Sequence, residues 1–186
     1  MRTFIAIELP EEARDKLAKL QDRLRKPGAD IKWVKPSNIH LTLKFLGKID
    51  EALLPDIKSS LTNLANTHKT FNIALKGVGA FPKLEYPRVI WVSIDKGKQE
   101  SASLSSDIEN AMCVLGFEKE VRPFRAHLTL GRVRTGKNKP ELIEAITKEK
   151  DFTVTDKIPA NKITLIESQL TSEGPIYTPL AKFPLP

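Results

Sequence analysis

The stretch His40-Leu41-Thr42-Leu43 occurs a second time as His127-Leu128-Thr129-Leu130, and the two copies hold two of the three histidines of the chain. A valine, a basic residue and a proline precede each copy, in Val34-Lys35-Pro36 and in Val121-Arg122-Pro123. Apolar and polar residues alternate in both copies, which is typical of a strand with one buried face. The repetition and its matching approach predict two related halves, each built around one such strand.

Strand and helix patterns alternate along the rest of the chain. The predicted strands are 2–9, 31–34, 39–46, 71–78, 88–94, 127–134, 152–154, 162–171 and 176–183. The predicted helices are 10–26, 50–67, 99–115 and 140–148, with Pro55 either delaying or kinking the second. No linker separates independent domains, so we expect residues 1–186 to form one domain of α+β class. It should consist of two similar lobes of mainly antiparallel sheet flanked by helices.

Period-two alternation also predicts which side chains of the first motif strand face the core. Ile39, Leu41, Leu43 and Phe45 should lie on the buried face. The opposite face should carry His40, Thr42 and Lys44.

Composition restricts the classes of function. The net charge of +7 favours an anionic partner such as nucleic acid, although it also fits a basic surface that only keeps the protein soluble. No apolar run approaches the roughly 20 residues that span a bilayer, so a membrane protein is not expected. The first residues lack a signal-peptide core and Cys113 is the single cysteine, which favours the cytoplasm. Without CxxC or HExxH spacing, no metal site is expected.

The spacing of the motifs suggests acid–base chemistry. Residues two apart in a strand point the same way, so His40 lies beside Thr42 and His127 beside Thr129. A pair of imidazoles can hold one neutral base and one protonated acid near neutral pH, as phosphodiester hydrolysis without metal requires. The threonine hydroxyls can bind non-bridging phosphate oxygens. The alternative is that these are solvated strand histidines next to good β-formers, but two matching copies favour a site.

Arg132 follows His127 by five residues, an offset that places it on the opposite face of a regular strand. A β-bulge at Gly131 would turn the guanidinium to the His127 side, where it could bind phosphate. His68 ends a helix and is interpreted as a cap or surface residue. The other basic residues near the motifs are interpreted as surface charge: Lys44, Arg125 and Arg134.

The segments Pro36–Gly47 and Arg125–Arg132 resemble the two HxTx motifs of the 2H phosphoesterase superfamily. Within it, the chain is most similar to the bacterial and archaeal RNA 2′,3′-cyclic phosphodiesterase branch, long called 2′-5′ RNA ligase. The resemblance runs nearly end to end and includes residues 1–9, 87–91 and 177–180. It implies a bilobal fold with a central cleft to which each lobe contributes one His-x-Thr pair.

The same resemblance implies a hydrolase that opens terminal RNA 2′,3′-cyclic phosphates to 2′-phosphates without ATP, metal or other cofactor. It also implies reverse 2′-5′ ligation, as in the joining of tRNA halves. By the resemblance, His40 is the acid for the O3′ leaving group and His127 the base for water, with the swapped assignment left open. Arg132 matches the arginine that the family places near the phosphate, where the spacing of the motifs also predicts Thr42 and Thr129. The expected partners are RNA ends, bound by a cytoplasmic monomer.

Two other functions are also compatible with the sequence. One is a 2H phosphoesterase for small substrates such as 2′-5′ oligoadenylates or cyclic nucleotides, and the other is a non-catalytic module that binds RNA ends. An enzyme for RNA ends should stack unpaired bases on aromatic rings, although each candidate ring also fits a core position. The candidates are Phe45, Phe81, Phe124 and Tyr177.

Overall fold

The computed structural model describes the backbone of residues 1–186 and every side chain except those at positions 156 and 157. Its strands are β1 Arg2–Glu8, β2 Ile31–Trp33, β3 His40–Lys48, β4 Phe71–Lys83, β5 Tyr86–Ile94, β6 His127–Val133, β7 Thr153–Ala160, β8 Lys162–Thr171 and β9 Gly174–Pro184. Its α-helices are α1 Glu11–Arg25, α2 Leu54–Ala65, α3 Lys98–Val114 and α4 Lys139–Lys148. Short 3₁₀ turns occupy Pro36–Asn38 and Glu51–Leu53.

The strands form two sheets, and each sheet contains one of the repeated motifs. The first has the order β3-β1-β8-β9 and carries His40, and the second has the order β2-β6-β5-β4-β7 and carries His127. The registered strand pairs of both sheets are antiparallel. The predicted α+β class with two similar lobes of antiparallel sheet is therefore confirmed.

The helices cross between the two halves of the chain. Helix α1 follows β1 of the first sheet, yet it packs on the second sheet against β7 together with α4. Helix α3 follows β5 of the second sheet, yet it packs on β3 of the first sheet beside α2. Strand β3 therefore lies under a helix from the other half of the chain, and β6 receives a hydrogen bond from one, through the Gln21 side chain of α1. Apolar stripes on these helices join one continuous core, which includes Leu17 and Leu20 of α1 and Leu104 and Ile108 of α3.

Both motif strands carry a β-bulge at the same point. In β3, Ala6 pairs with Thr42 and Ile5 with Lys44, so Leu43 is the extra residue. In β6, Trp91 pairs with Thr129 and Ile90 with Gly131, so the extra residue is Leu130. Each bulge residue is the second leucine of its His-Leu-Thr-Leu motif. Because a bulge reverses the alternation of faces, the fifth residue after each histidine returns to the face of that histidine.

Burial follows the same order in both strands. From each histidine onward the six residues are partly buried, buried, partly buried, buried, buried and exposed. The exposed sixth residues are Phe45 in β3 and Arg132 in β6. The two strands thus have equivalent local structure, which supports the predicted relation between the halves.

The predicted faces of β3 are wrong beyond the bulge. Phe45 was expected in the core and is 63% exposed, whereas Lys44 was expected outside and is 5% exposed. The Lys44 ammonium donates to Glu109 Oε1 at 2.7 Å and to the Glu118 carbonyl oxygen at 3.0 Å. The interpretation of Lys44 as surface charge is therefore also wrong, because this residue forms a buried ion pair with α3.

Most element boundaries match the predictions, and the differences have local causes. Pro55 lies in the first turn of α2, so the helix starts late, after a 3₁₀ turn. The loop expected between residues 78 and 88 is strand on both sides, because β4 and β5 continue as one hairpin to Lys83 and Tyr86. Strand β7 also extends beyond 154. Within the described residues, none of the helices combines the length and apolar character that crossing a membrane requires.

Candidate active site

His40 lies at the start of β3 between two aromatic rings. Its imidazole stacks on Phe4 with 4.7 Å between the ring centroids, and the Tyr177 ring meets it edge-on at 5.4 Å. Burial lowers the pKa of His40 to about 4, against the opposing effects of the Asn38 carbonyl and the negative charge of Glu8. The free protein therefore holds this imidazole neutral at pH 7.

His127 occupies the equivalent place at the start of β6. The Phe81 ring lies edge-on to its imidazole with 5.0 Å between the centroids. Burial lowers the pKa of His127, and the positive charges of Arg132 and Arg125 lower it further, while a hydrogen bond to the Arg125 carbonyl acts in the opposite direction. Both histidines are thus less basic than free imidazole, but the charge near His40 is negative and the charges near His127 are positive.

The same backbone contact orients both imidazoles. Nδ1 of His40 lies 2.6 Å from the carbonyl oxygen of Asn38, and Nδ1 of His127 lies 2.5 Å from that of Arg125. Each partner is the residue two positions earlier. A carbonyl oxygen can only accept, so Nδ1 carries the proton in both rings. In the neutral form, Nε2 of each ring is therefore the nitrogen that can take up a proton.

Thr42 and Thr129 each follow their histidine by two residues, before the bulge, and both are partly buried. They lie on the same face as the histidine of their strand, as the spacing predicted. Each sheet thus presents one imidazole with one neighbouring hydroxyl.

Arg132 connects the two histidine environments. The bulge in β6 brings it to the His127 face, and its charge lowers the pKa of His127. Burial raises the pKa of Tyr177, and the charge of Arg132 opposes that rise. The guanidinium thus acts on His127 and on Tyr177, a ring that contacts His40, and β3 contacts β6 directly. The five residues selected from the sequence therefore belong to one region.

The bulge expected at Gly131 is one residue earlier, at Leu130. Gly131 itself is required by the neighbouring strand β2. A Cβ atom at this position would lie 2.8 Å from Cγ2 of Ile31 and 3.0 Å from Cε3 of Trp33. The predicted irregularity is confirmed, but the glycine permits close approach of β2 and the extra residue is the leucine before it.

Sequence reasoning missed the walls of the His40 site. Phe4 and Glu8 lie in β1, where Glu8 pairs with His40 and Phe4 with Phe45. This pairing joins residues more than 30 positions apart, so no local signal identifies it. For Tyr177 and Phe81 the sequence suggests a core position or a base-stacking ring, whereas in the structure both contact a histidine.

The third histidine lies outside this region. His68 Nε2 is 2.9 Å from a carboxylate oxygen of Asp107 on α3, where a cap or surface residue was expected. A cavity of about 530 Å³ beside it is also lined by Thr70 and Glu100 and contains neither motif.

A second cavity, of about 330 Å³, opens beside His40. Its walls include Arg14 and Lys35 from the first half of the chain and Pro175 and Tyr177 from β9. Among the described residues, no group of three or more histidine, cysteine or acidic side chains could hold a metal ion. The cavity beside His40 thus combines an imidazole with basic side chains and an aromatic ring.

Comparison with known proteins identifies the family. The LigT like Phosphoesterase family model matches residues 7–91 and, a second time, residues 92–177. The chain is 34% identical to the RNA 2′,3′-cyclic phosphodiesterase of Methanothermobacter thermautotrophicus, covering 100% of this chain and 99% of that protein. It is 38% identical to the Methanocaldococcus jannaschii protein of the same name, covering 95% and 96%.

A solved structure shows the same fold. The crystal structure of the Thermus thermophilus protein TT0787 superposes with a TM-score of 0.81 at 30% identity, over 100% of this chain and 98% of that one. The two family matches divide the chain between the two motifs, in agreement with the repeated strands and bulges. The chain therefore belongs to the family of LigT-like phosphoesterases.

Proposed function

We propose that this protein hydrolyses RNA 2′,3′-cyclic phosphate ends to 2′-phosphate ends, with residues 1–186 acting as one bilobal unit. One observation carries the proposal: two imidazoles, each fixed by its Nδ1 hydrogen bond, leave Nε2 free on strands that contact each other. Relatives that match nearly the whole chain are named for this reaction. The net charge of +7 agrees with an anionic substrate.

In the proposed reaction His127 is the base and His40 the acid. His127 Nε2 takes a proton from water, the water oxygen bonds to phosphorus, and the bond from phosphorus to O3′ breaks. His40 donates its Nε2 proton to O3′, which leaves a 3′-hydroxyl and a 2′-phosphate. Thr42, Thr129 and Arg132 bind the non-bridging oxygens as their negative charge increases.

Fixed charges support this division of roles. The carboxylate of Glu8 favours the imidazolium form of His40, whereas Arg132 and Arg125 disfavour that of His127. Burial opposes the imidazolium of His40 in the free protein, and a bound phosphate anion offsets that effect. After one turnover the two imidazoles return to their starting states by proton exchange with solvent.

The division of roles can be tested with the leaving group. A nucleoside p-nitrophenyl phosphodiester releases an anion that needs no proton. His40→Ala should therefore lose much less activity on this ester than on the cyclic phosphate, whereas His127→Ala should lose a similar factor on both. The opposite pattern would assign the acid role to His127.

The same groups can act when a ribose 5′-hydroxyl replaces water. His127 would then deprotonate the hydroxyl, and the product would be a 2′-5′ phosphodiester. Ligation of RNA halves is thus part of the proposed chemistry, at high concentrations of 5′-hydroxyl ends. Phe45, which is exposed on the His40 face, is the ring best placed to stack on the terminal base.

The experiment that tests the proposal uses a short RNA with a 2′,3′-cyclic phosphate end, in EDTA and without nucleotide. Native protein is compared with His40→Ala, His127→Ala and His68→Gln, the last being a matched control outside the site. We expect native turnover to a 2′-phosphate, losses of about 10²- to 10⁴-fold in kcat/KM for the two site variants, and no change for the control.

Two outcomes separate the alternatives. Equal kcat/KM on the RNA and on a nucleoside 2′,3′-cyclic monophosphate would indicate an enzyme for small substrates. Folded native protein that binds the RNA without turnover would refute the enzymatic proposal and indicate a module that binds RNA ends. Losses in the His68→Gln control as large as those in the site variants would show that the assay reports folding.

A further inference from the structure

Both β-bulges are held by a buried side chain. The extra residue of a bulge lacks a regular partner across the ladder, so its polar groups need other partners. The Leu43 carbonyl oxygen accepts a hydrogen bond from Ser105 Oγ at 2.8 Å. The Leu130 carbonyl oxygen accepts one from Gln21 Nε2 at 2.9 Å. Ser105 is 5% exposed and Gln21 is fully buried.

The two donors come from opposite halves of the chain. Gln21 lies on α1 of the first half and holds the bulge of β6, which belongs to the second. Ser105 lies on α3 of the second half and holds the bulge of β3, which belongs to the first. Each motif strand is therefore fixed by the helix that crosses over to it.

We infer that Gln21 and Ser105 are positioning residues, which fix the two bulges and so hold Arg132 and Phe45 on the faces of the histidines. Without a bulge, alternation would turn each of these side chains to the opposite face of its strand. For its effect on activity, this inference rests on the proposed function. The positions of Arg132 and Phe45 can also be tested in the free protein, without substrate.

Gln21 has a second contact that links the motifs. Its Nε2 also donates to the Val34 carbonyl oxygen at 2.8 Å, and the Val34 backbone N–H donates to the Leu130 carbonyl oxygen at 2.9 Å. Val34 immediately precedes the segment that leads through the 3₁₀ turn to His40. The side-chain amide of Gln21 thus links Val34, which precedes His40 in the chain, to the bulge at Leu130, which follows His127.

The side-chain oxygen of Gln21 indicates that this residue does more than stabilise the folded state. Its Oε1 is buried and has no hydrogen-bond partner among the described residues. A buried polar atom without a partner destabilises the folded state, and an apolar side chain of similar length would remove that cost. The two Nε2 hydrogen bonds are therefore what this residue contributes.

The test uses Gln21→Met and Ser105→Ala, with Ser101→Ala as the matched control. Ser101 lies one turn earlier on α3, is fully buried, and donates to the carbonyl oxygen of Gly97 at the N-cap of the same helix. On the cyclic phosphate RNA we expect Gln21→Met to lower kcat by roughly 10- to 100-fold, because it misplaces the charge that binds the phosphate. Ser105→Ala should mainly raise KM, because it misplaces Phe45, and the control should stay within about twofold.

Double variants distinguish positioning from general stability. If Gln21 acts through Arg132, then Gln21→Met should cost little more in an Arg132→Ala background. Likewise Ser105→Ala should cost little more once Phe45 is alanine. Fully additive losses in folded double variants would overturn the inference. Ser105→Ala removes a single hydroxyl group and tests the same idea if Gln21→Met does not fold.

One measurement needs no substrate. Arg132 lowers the pKa of His127, so displacing its guanidinium should raise that pKa in an NMR titration of Gln21→Met, as Arg132→Ala should. An unchanged His127 pKa in folded Gln21→Met would overturn the inference even if native turnover is observed. Absence of native turnover with a raised pKa would instead refute the proposed function and leave the positioning role supported.

Discussion

The pH dependence of kcat/KM follows directly from the two histidine environments. The pKa of His40 is about 4, and that of His127 lies below 6.5. A mechanism that needs one proton on the pair is fastest midway between the two macroscopic pKa values, which here is below about pH 5.3. Above both values the rate should fall about tenfold per pH unit, so kcat/KM at pH 8 should be about one tenth of that at pH 7.

The assay is hydrolysis of the cyclic phosphate RNA from pH 4 to 8.5 at substrate concentrations far below KM. The substrate phosphodiester stays a monoanion over this range, so the limbs of the profile report the protein. Tyr177→Ala should raise the pKa of His40 by admitting water in place of the ring 5.4 Å from its imidazole, and should move the acid limb to higher pH. Tyr177→Phe keeps the ring and should keep the limb in place.

A kcat/KM that is flat from pH 5 to 8, or that rises through pH 7, would refute this reasoning. Stability must be followed in parallel, because the unfolded chain binds a proton at His40 more readily than the native protein does. Stability is therefore greatest above pH 6.5 and falls as the pH drops toward 4, by at most about 3 kcal/mol for the His40 shift. Circular dichroism at each pH separates that loss from the kinetics.

Three further predictions concern single residues. Glu109→Gln leaves the Lys44 ammonium, whose side chain is 3% exposed, without its carboxylate, and should lower the free energy of unfolding by about 3–5 kcal/mol in urea titrations. Lys44→Met should lower it less, because no unpaired charge stays buried, and the reverse order of the two variants would contradict a buried charge. Gly79→Ala places a Cβ atom 2.5 Å from the Trp91 ring and should lower the free energy of unfolding by about 1–3 kcal/mol. An unchanged midpoint of urea unfolding would show instead that the ring moves aside freely. Arg132→Ala should lower kcat/KM by about 10²- to 10³-fold, and Arg132→Lys by less, because lysine keeps the positive charge but lacks the paired N–H donors of the guanidinium. Native-like rates in Arg132→Ala would exclude a role of Arg132 in phosphate binding.

The sequence predicts the element order well, because its signals are local. The apolar stripe of α1 and the acids of its first turn identify that helix, and the bounds of β8 are the predicted ones. The hairpin of β4 and β5 is a failure of the same reasoning. Glycine and proline at residues 79–87 favour a loop, but in the structure these residues continue the ladder between two long strands.

The bulges show why the candidate site was only partly predictable. The odd spacing of Arg132 from His127 predicted a bulge in β6, because the proposed role of the arginine required one. In β3 neither Lys44 nor Phe45 raised that conflict, since alternation gave each an acceptable face. The bulge at Leu43 depends on pairing with β1 and on a hydroxyl from α3, and neither can be read from residues 39–46 alone.

The proposed mechanism assigns an acid and a base to two motif strands of equivalent local structure. A strictly symmetric site would give two imidazoles the same environment and the same proton affinity, whereas acid–base catalysis needs them to differ. The repeated backbone supplies equal geometry, because both rings donate Nδ1 to the carbonyl two residues earlier. Burial lowers the pKa of both rings, but the charges around them differ. Phe45 on one strand stands where Arg132 stands on the other, and a carboxylate acts on His40 where two guanidinium groups act on His127. The bulges fix the positions of Phe45 and Arg132, and together with Glu8 and Arg125 these side chains give the two histidines different surroundings on equivalent backbones.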